Sequence, residues 1–105
     1  MRKKDSDHQP TLESVLQTLK IHLPGLRKDH GIKSLGIFGS YAKGTSKRSS
    51  DLDLLVEFET VPTMFEFVRL ERHLSTILGV KVDLVMKSAL KPDIGERILA
   101  EVMPV

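Results

Sequence analysis

Residues 38–58 read FGSYAKGTSKRSSDLDLLVEF: an apolar approach, a Gly-Ser turn, a short piece closed by a second glycine, a basic serine-rich loop, and two aspartates that open an alternating run. The alternation decides the fold. In SDLDLLVEF, Leu52, Leu54, Val56 and Phe58 fall on one face of an extended chain, and Asp51, Asp53, Leu55 and Glu57 fall on the other. That is the period-two pattern of a half-buried strand. Upstream, IKSLGIF is β-branched and apolar and reads as a strand feeding the turn. SYAKG, between the strands, has room for one or two helical turns, which Gly44 can close.

Working outward, PTLESVLQTLKIHL places Leu12, Val15, Leu16, Leu19 and Leu23 at helical spacing, with Thr11 available as N-cap. LPGLRKDHG predicts a second, short helix with Pro24 in its first turn and Gly31 ending it. From Pro62 to Gly79, Met64, Phe67, Val68, Leu74, Ile77 and Leu78 recur at helical spacing, and Gly79 offers a C-cap. VKVDLVM reads as a third strand, with Val82, Leu84 and Met86 opposite Asp83 and Val85. KPDIGERILAEVM supplies a last helix begun at Pro92, in which Gly95 is a mild weakness. The fold class is α/β of the α+β type, a small three-stranded mixed sheet flanked by about four to five helices. Residues 1–10 are expected to be disordered and 11–105 to form a single domain.

Composition limits the alternatives. A chain of 105 residues with 40% hydrophobic content supports one small core. No run of about 18 apolar residues is present, and the charged start MRKKDSDHQP is unlike a signal peptide, so a cytoplasmic protein is expected. With no cysteine, any metal must be held by oxygen or histidine. A formal net charge of +2 without a broad basic stripe argues against direct nucleic-acid binding. His8, His22, His30 and His73 show no metal-ligand spacing and read as surface or capping residues.

The carboxylates carry the chemistry. Asp51 and Asp53 project from one face about 6.6 Å apart along the strand. Two like charges so placed repel, unless a divalent cation makes both favourable as anions. Asp83 has the same pattern on the third strand; if that strand neighbours the second, about 4.8 Å away, three carboxylates converge. Such a set suits Mg²⁺, which takes hard oxygen ligands and keeps positions for water and phosphate. DLD alone is also ordinary strand-entry chemistry, and Asp53 alone would pass for a solvated edge residue. In the turn, Gly39 lets the backbone bend and approach a ligand closely, and Ser40 opens a short helix whose free N–H groups favour an anion. A capping serine in a strand-to-helix turn is the plainer alternative. The P-loop pattern is rejected, because Gly44 is followed by Thr45 and Ser46 rather than by lysine. Lys47 and Arg48 can neutralise a triphosphate, or simply form a solvated loop.

GSYAKG, six residues, then DLD in SDLDLLVEF, and a later VDLV together resemble the signature of the polymerase-beta-like nucleotidyltransferases, most closely the minimal nucleotidyltransferase domain proteins. LGIFGSYAKG, SDLDLLVEF, LGVKVDLV and LKPDIGERILAEV follow the family order over nearly the whole chain. The resemblance implies that Gly39 and Ser40 bind nucleotide phosphates, that Asp51 and Asp53 are the metal-binding pair, and that Asp83 is the third carboxylate, the three together being catalytic. Lys43 stands where arginine is frequent, which keeps the charge but loses the bidentate fork. With Lys47 it would complete the nucleotide-binding set. The resemblance further implies transfer of AMP from ATP to a hydroxyl with two Mg²⁺ ions. The acceptor implied is a tyrosine of a small helical HEPN-domain ribonuclease toxin, this chain being the antitoxin in a hetero-oligomer. Two other activities stay open: neutralisation by binding alone, and transfer to RNA ends or a small molecule. Ile98, Leu99 and Val102 of the last helix are candidates for partner contact, with core packing the simpler use of each.

Overall fold

The computed structural model describes residues 9–105. Most of the expected disordered segment, residues 1–8, lies outside the described residues. Gln9 is already anchored, its Nε2 donating to the Tyr41 hydroxyl at 2.8 Å.

The first helix, α1, runs from Leu12 to His30 without a break. Thr11 caps it as expected: its Oγ1 accepts from the Ser14 N–H at 3.0 Å, and Ser14 Oγ accepts from the Thr11 N–H at 3.1 Å. The expectation of two helices is corrected here, since Pro24 sits inside α1. Proline removes one helical hydrogen bond, normally to the carbonyl four residues earlier. That carbonyl belongs to Lys20, and both Lys20 and Pro24 are exposed, so water can take over the lost bond. Val15, Leu19 and Leu26 meanwhile stay buried on either side of the proline and hold the helix together as one packing unit.

Strand β1 follows at Ile32–Phe38, then the five-residue helix α2 at Gly39–Lys43, strand β2 at Leu52–Phe58, helix α3 at Met64–Leu78 and strand β3 at Val82–Met86. A 3-10 turn at Lys87–Ala89, helix α4 at Pro92–Glu101 and a two-residue strand β4 at Met103–Pro104 complete the order. Gly31, Gly44 and Gly79 end their helices in the left-handed region, as expected. The sheet order is β3-β2-β1-β4, with β2 and β3 parallel and the other pairs antiparallel. The mixed sheet therefore has four strands rather than three. Pro104 explains the fourth: it bars Met103 from helical backbone, so α4 stops at Glu101 and the chain turns extended along β1.

One face of the sheet carries Leu35, Ile37, Leu52, Leu54, Val56, Val82 and Leu84, all buried in one cluster with Val15, Leu19 and Leu26 of α1 and Leu70, Leu74 and Leu78 of α3. Met64 and Val68, which share the helical spacing of α3, are exposed, as is Phe65 at 81%. On the second face the end of the chain lies over β1: a β-carbon on Gly36 would lie 2.6 Å from Val102 Cγ2. Gly95 is likewise more than a weakness, being buried with Leu90 Cβ only 3.3 Å from where its own β-carbon would be. Leu99 is exposed, whereas Ile98 and Val102 are partly buried. Among the described residues no helix is long and apolar enough to cross a membrane.

Candidate active site

The second face of the sheet is organised in rows across the strands. Phe38 of β1 pairs with Asp53 of β2, and Asp53 with Asp83 of β3. The next row is Gly36, Leu55 and Val85, with Val102 over Gly36. The third holds Ser34 and Glu57, whose side chains hydrogen-bond at 3.1 Å, and Glu57 also pairs with Lys87 at 3.8 Å. The acidic row thus lies at the end of the sheet where β1 leaves and β2 and β3 begin. Parallel pairing is what matches the faces, because it sets Asp83 directly beside Asp53.

Asp51 stands just before β2, and Lys81 Nζ lies 4.0 Å from its Oδ2. The Leu52 N–H donates to the Lys81 carbonyl at 2.8 Å, so the approaches to β2 and β3 are bound together next to the acids. Upstream, the Lys47 N–H donates to Ser50 Oγ at 2.8 Å and the Ser50 N–H returns to the Lys47 carbonyl at 2.9 Å, a closed turn that delivers the chain to Asp51.

Asp53 is half-buried, and burial first of all, then the Asp83 and Asp51 charges, hold its carboxyl above the usual carboxylate range. The structure therefore groups the three acids electrostatically, and the charge they share is one a cation would relieve. By donor type and charge they fit a hard divalent ion such as Mg²⁺. As placed, no three His, Asp or Glu side chains among the described residues are drawn close enough to enclose one.

Gly39 packs directly against Asp53. Its φ is 75°, in the left-handed region, and a β-carbon there would overlap Asp53 Oδ2 and come within 3.0 Å of Asp53 Cγ. Only glycine lets the turn rest on the carboxylate. Ser40, half-buried, closes α2 by accepting the Thr45 N–H on its carbonyl at 2.9 Å, and Tyr41 anchors α2 in the core. Lys43 turns toward α4, with its Nζ 3.7 Å from Glu101 Oε2. The Lys47 side chain is exposed in the loop, and only its backbone is fixed.

Three supporting features escaped the sequence reading. Glu101, besides pairing with Lys43, accepts the Gly39 N–H on Oε1 at 3.4 Å. Two side chains of α3 hold β3: Ser75 Oγ accepts the Val82 N–H at 3.0 Å, and Glu71 Oε2 accepts the Leu84 N–H at 2.9 Å, one on each side of Asp83. Lys81 carried a usable signal, since it shares the parity of Asp83 on the strand. Glu101, Ser75 and Glu71 carried none, because their roles depend on how the helices dock.

Residues 19–102 match the family model of the nucleotidyltransferase domain. The chain is 45% identical over 93 residues to the protein adenylyltransferase MntA of Thermococcus cleftensis, a match covering 89% of this chain and 94% of the relative. Among solved structures, one assigned as a minimal nucleotidyltransferase superposes with a TM-score of 0.76 at 38% identity, over 90% of this chain and 96% of that one. A complex of a tri-AMPylated Shewanella oneidensis HEPN toxin with its MNT antitoxin shares the fold, with a TM-score of 0.61 at 21% identity over 85% of this chain and 68% of that one. The paired Asp53 and Asp83 with Asp51 beside them, the glycine turn seated on Asp53 and these likenesses agree: the chain belongs to the nucleotidyltransferase domain family, among its minimal members.

Proposed function

We propose that the chain is a protein adenylyltransferase that moves AMP from ATP to a tyrosine hydroxyl of a cognate HEPN toxin, and so acts as that toxin's antitoxin. The observation that carries the reading is the row of Asp53 and Asp83, with Asp51 at its mouth and Gly39 packed against Asp53. The 45% identity with a protein adenylyltransferase supports the reaction class, and the fold shared with the antitoxin of an AMPylated HEPN toxin supports the acceptor.

In the reaction the hydroxyl oxygen forms a bond to the α-phosphorus of ATP, the bond from that phosphorus to the bridging oxygen breaks, and pyrophosphate leaves. Gly39 and Ser40 would bind the distal phosphates, with Lys43 and Lys47 adding positive charge. Asp83, exposed at the outer strand, would receive the hydroxyl proton. Asp51, Asp53 and Asp83 would hold Mg²⁺, which when bound neutralises phosphate charge and makes the hydroxyl easier to ionise.

The test is to incubate the protein with its helical partner, Mg²⁺ and ATP labelled on the α-phosphate. Label on a partner tyrosine is expected, and its loss in Asp53→Asn with the fold retained. If no label appears and Asp53→Asn still neutralises the toxin fully, neutralisation by binding is the better account. Label on RNA or a small molecule instead of the partner would reassign the acceptor.

A further inference from the structure

We infer that Glu101 is a positioning residue of the transfer reaction, fixing the Gly39–Ser40 turn and the Lys43 ammonium relative to Asp53. The inference rests on the nucleotidyltransferase reading of the site. Its root is the short strand at the end of the chain. β4 pairs Pro104 with Gly36 and Met103 with Ile37, and the chain just before it, at the end of α4, lies beside the start of α2, where Glu101 reaches the Gly39 N–H. Val102, next in the chain, is seated on Gly36, its Cγ2 2.6 Å from where a β-carbon would be. The Glu101 backbone is therefore fixed by the sheet on one side and by the end of α4 on the other.

From that position one carboxylate reaches both ends of α2. Oε1 accepts the Gly39 N–H at 3.4 Å, and Oε2 stands 3.7 Å from Lys43 Nζ. α2 needs such a tie. It is five residues long, and Phe38 at its N-cap makes no side-chain capping bond, whereas α1 and α3 each carry a complete capping box. Short helices are not self-supporting, so the pose of α2 depends on what it docks against. Tyr41 fixes the inward side in the core and Glu101 fixes the side facing α4. Gly39 in turn abuts Asp53, so movement of the turn alters the surroundings of the central acid directly.

The hydrogen bond is long and the ion pair half-exposed, so Glu101 adds little to global stability. Its effect should appear in geometry, where a misplacement of about 1 Å can cost on the order of 100-fold in rate. Glu101→Ala removes both contacts. Glu101→Gln keeps an acceptor for the Gly39 N–H and gives up the charge on Lys43.

The experiment compares wild type, Glu101→Ala and Glu101→Gln for kcat/KM toward ATP, for KM toward the partner protein, and for affinity toward α,β-methylene ATP, which cannot release its terminal phosphates. Glu101→Ala is expected to lose about tenfold or more in kcat/KM for ATP with KM for the partner within twofold, and Glu101→Gln to recover most of the loss. Glu101→Ala with wild-type kcat/KM for ATP, or equal falls toward ATP and partner, would overturn the inference while leaving the proposed reaction standing. If the wild-type protein labels no partner yet binds the analogue, the proposed reaction fails alone. The inference is then decided by analogue affinity: weakened in the Ala variant and restored in the Gln variant carries it, while equal affinities in all three overturn it. Wild type that neither labels nor binds the analogue overturns both.

Discussion

The two ends of β2 handle like charge in opposite ways. At its far end, Ile32 pairs with Phe58, and just outside that pair His30 stacks on His73 with ring centroids 5.8 Å apart. Burial first, then the neighbouring His73 and Arg69 charges, lower the pKa of His30, while Asp29 acts against them. A histidine can settle such a conflict by remaining neutral near pH 7, and the two rings then pack as ordinary surface. At the near end the same kind of conflict raises the pKa of Asp53, yet carboxylates ionise so far below neutrality that the proton is a poor solution there. Lys81 helps Asp51, but from 4.0 Å and in solvent. A charge conflict that the protein resolves by itself is structural; one that a cation from outside would relieve is in keeping with the proposed site.

The largest effect that would sharpen this contrast is on transfer. Since groups merely supporting a metal ligand cost about 10- to 100-fold when removed, Asp53→Asn should lower adenylyl transfer by at least about 100-fold. Its stability should move the other way. The raised pKa means that the folded state holds the proton more tightly than the unfolded chain. Stability is therefore lost as pH climbs from the ordinary carboxylate value of 3.8 through the raised one. Well above the raised value that loss is complete, and there Asp53→Asn should melt at a higher temperature than wild type. A variant that loses both activity and melting temperature would show that Asp53 is a structural residue.

Next in size, Gly39→Ala should cost roughly 1–3 kcal/mol in backbone strain, with a further loss in transfer as the added carbon displaces Asp53. Denaturant unfolding and labelling read the two losses separately, and an alanine variant with wild-type transfer would break the link between turn and acid. Smaller again, Mg²⁺ at about a hundred times its Kd should stabilise wild type by about 2.7 kcal/mol, and each kcal/mol moves the melting point of a domain this size by about 4–8 °C. Asp53→Asn should respond far less, and an equal shift in both proteins would move the ion elsewhere. The smallest effect belongs to the histidine end. Because the pKa of His30 is lowered, stability should be retained above its ordinary value of 6.5 and decline as pH falls through the lowered one. His30→Gln should flatten that slope without changing transfer at pH 7.5, and an unchanged slope would remove His30 as its cause.

Much of this was legible because it depends on local pattern. The period-two alternation of residues 51–58 placed both aspartates on one face, and Thr11, Gly31, Gly44 and Gly79 marked helix ends that the structure reproduces. Pro24 misled because the cost of a helical proline depends on whether its orphaned carbonyl meets water, which a one-dimensional reading does not reveal. β4 was missed because the apolar periodicity of α4 was extended over Met103, although Pro104 already forbade it. Of the acidic group, the identities came from spacing, while the parallel pairing of β2 with β3 that unites them is a property of tertiary topology. Glu101 lay furthest out of reach, because it requires both the end of α4 and the register of β4 to be known.

The fastening of β3 has a consequence for whatever delivers the acceptor hydroxyl. β3 is an edge strand, and edges invite a visiting chain to join as a further strand. Here the Val82 and Leu84 N–H groups are already committed to Ser75 and Glu71. A guest polypeptide cannot dock along Asp83 by zipping its backbone onto the sheet without evicting two side chains. On the proposed reading, an acceptor tyrosine would instead arrive tip first, offered by a folded surface or a loose tail. Selectivity for the acceptor would then come from how the two bodies meet and from the length of the tail, with no strand-like motif around the tyrosine required.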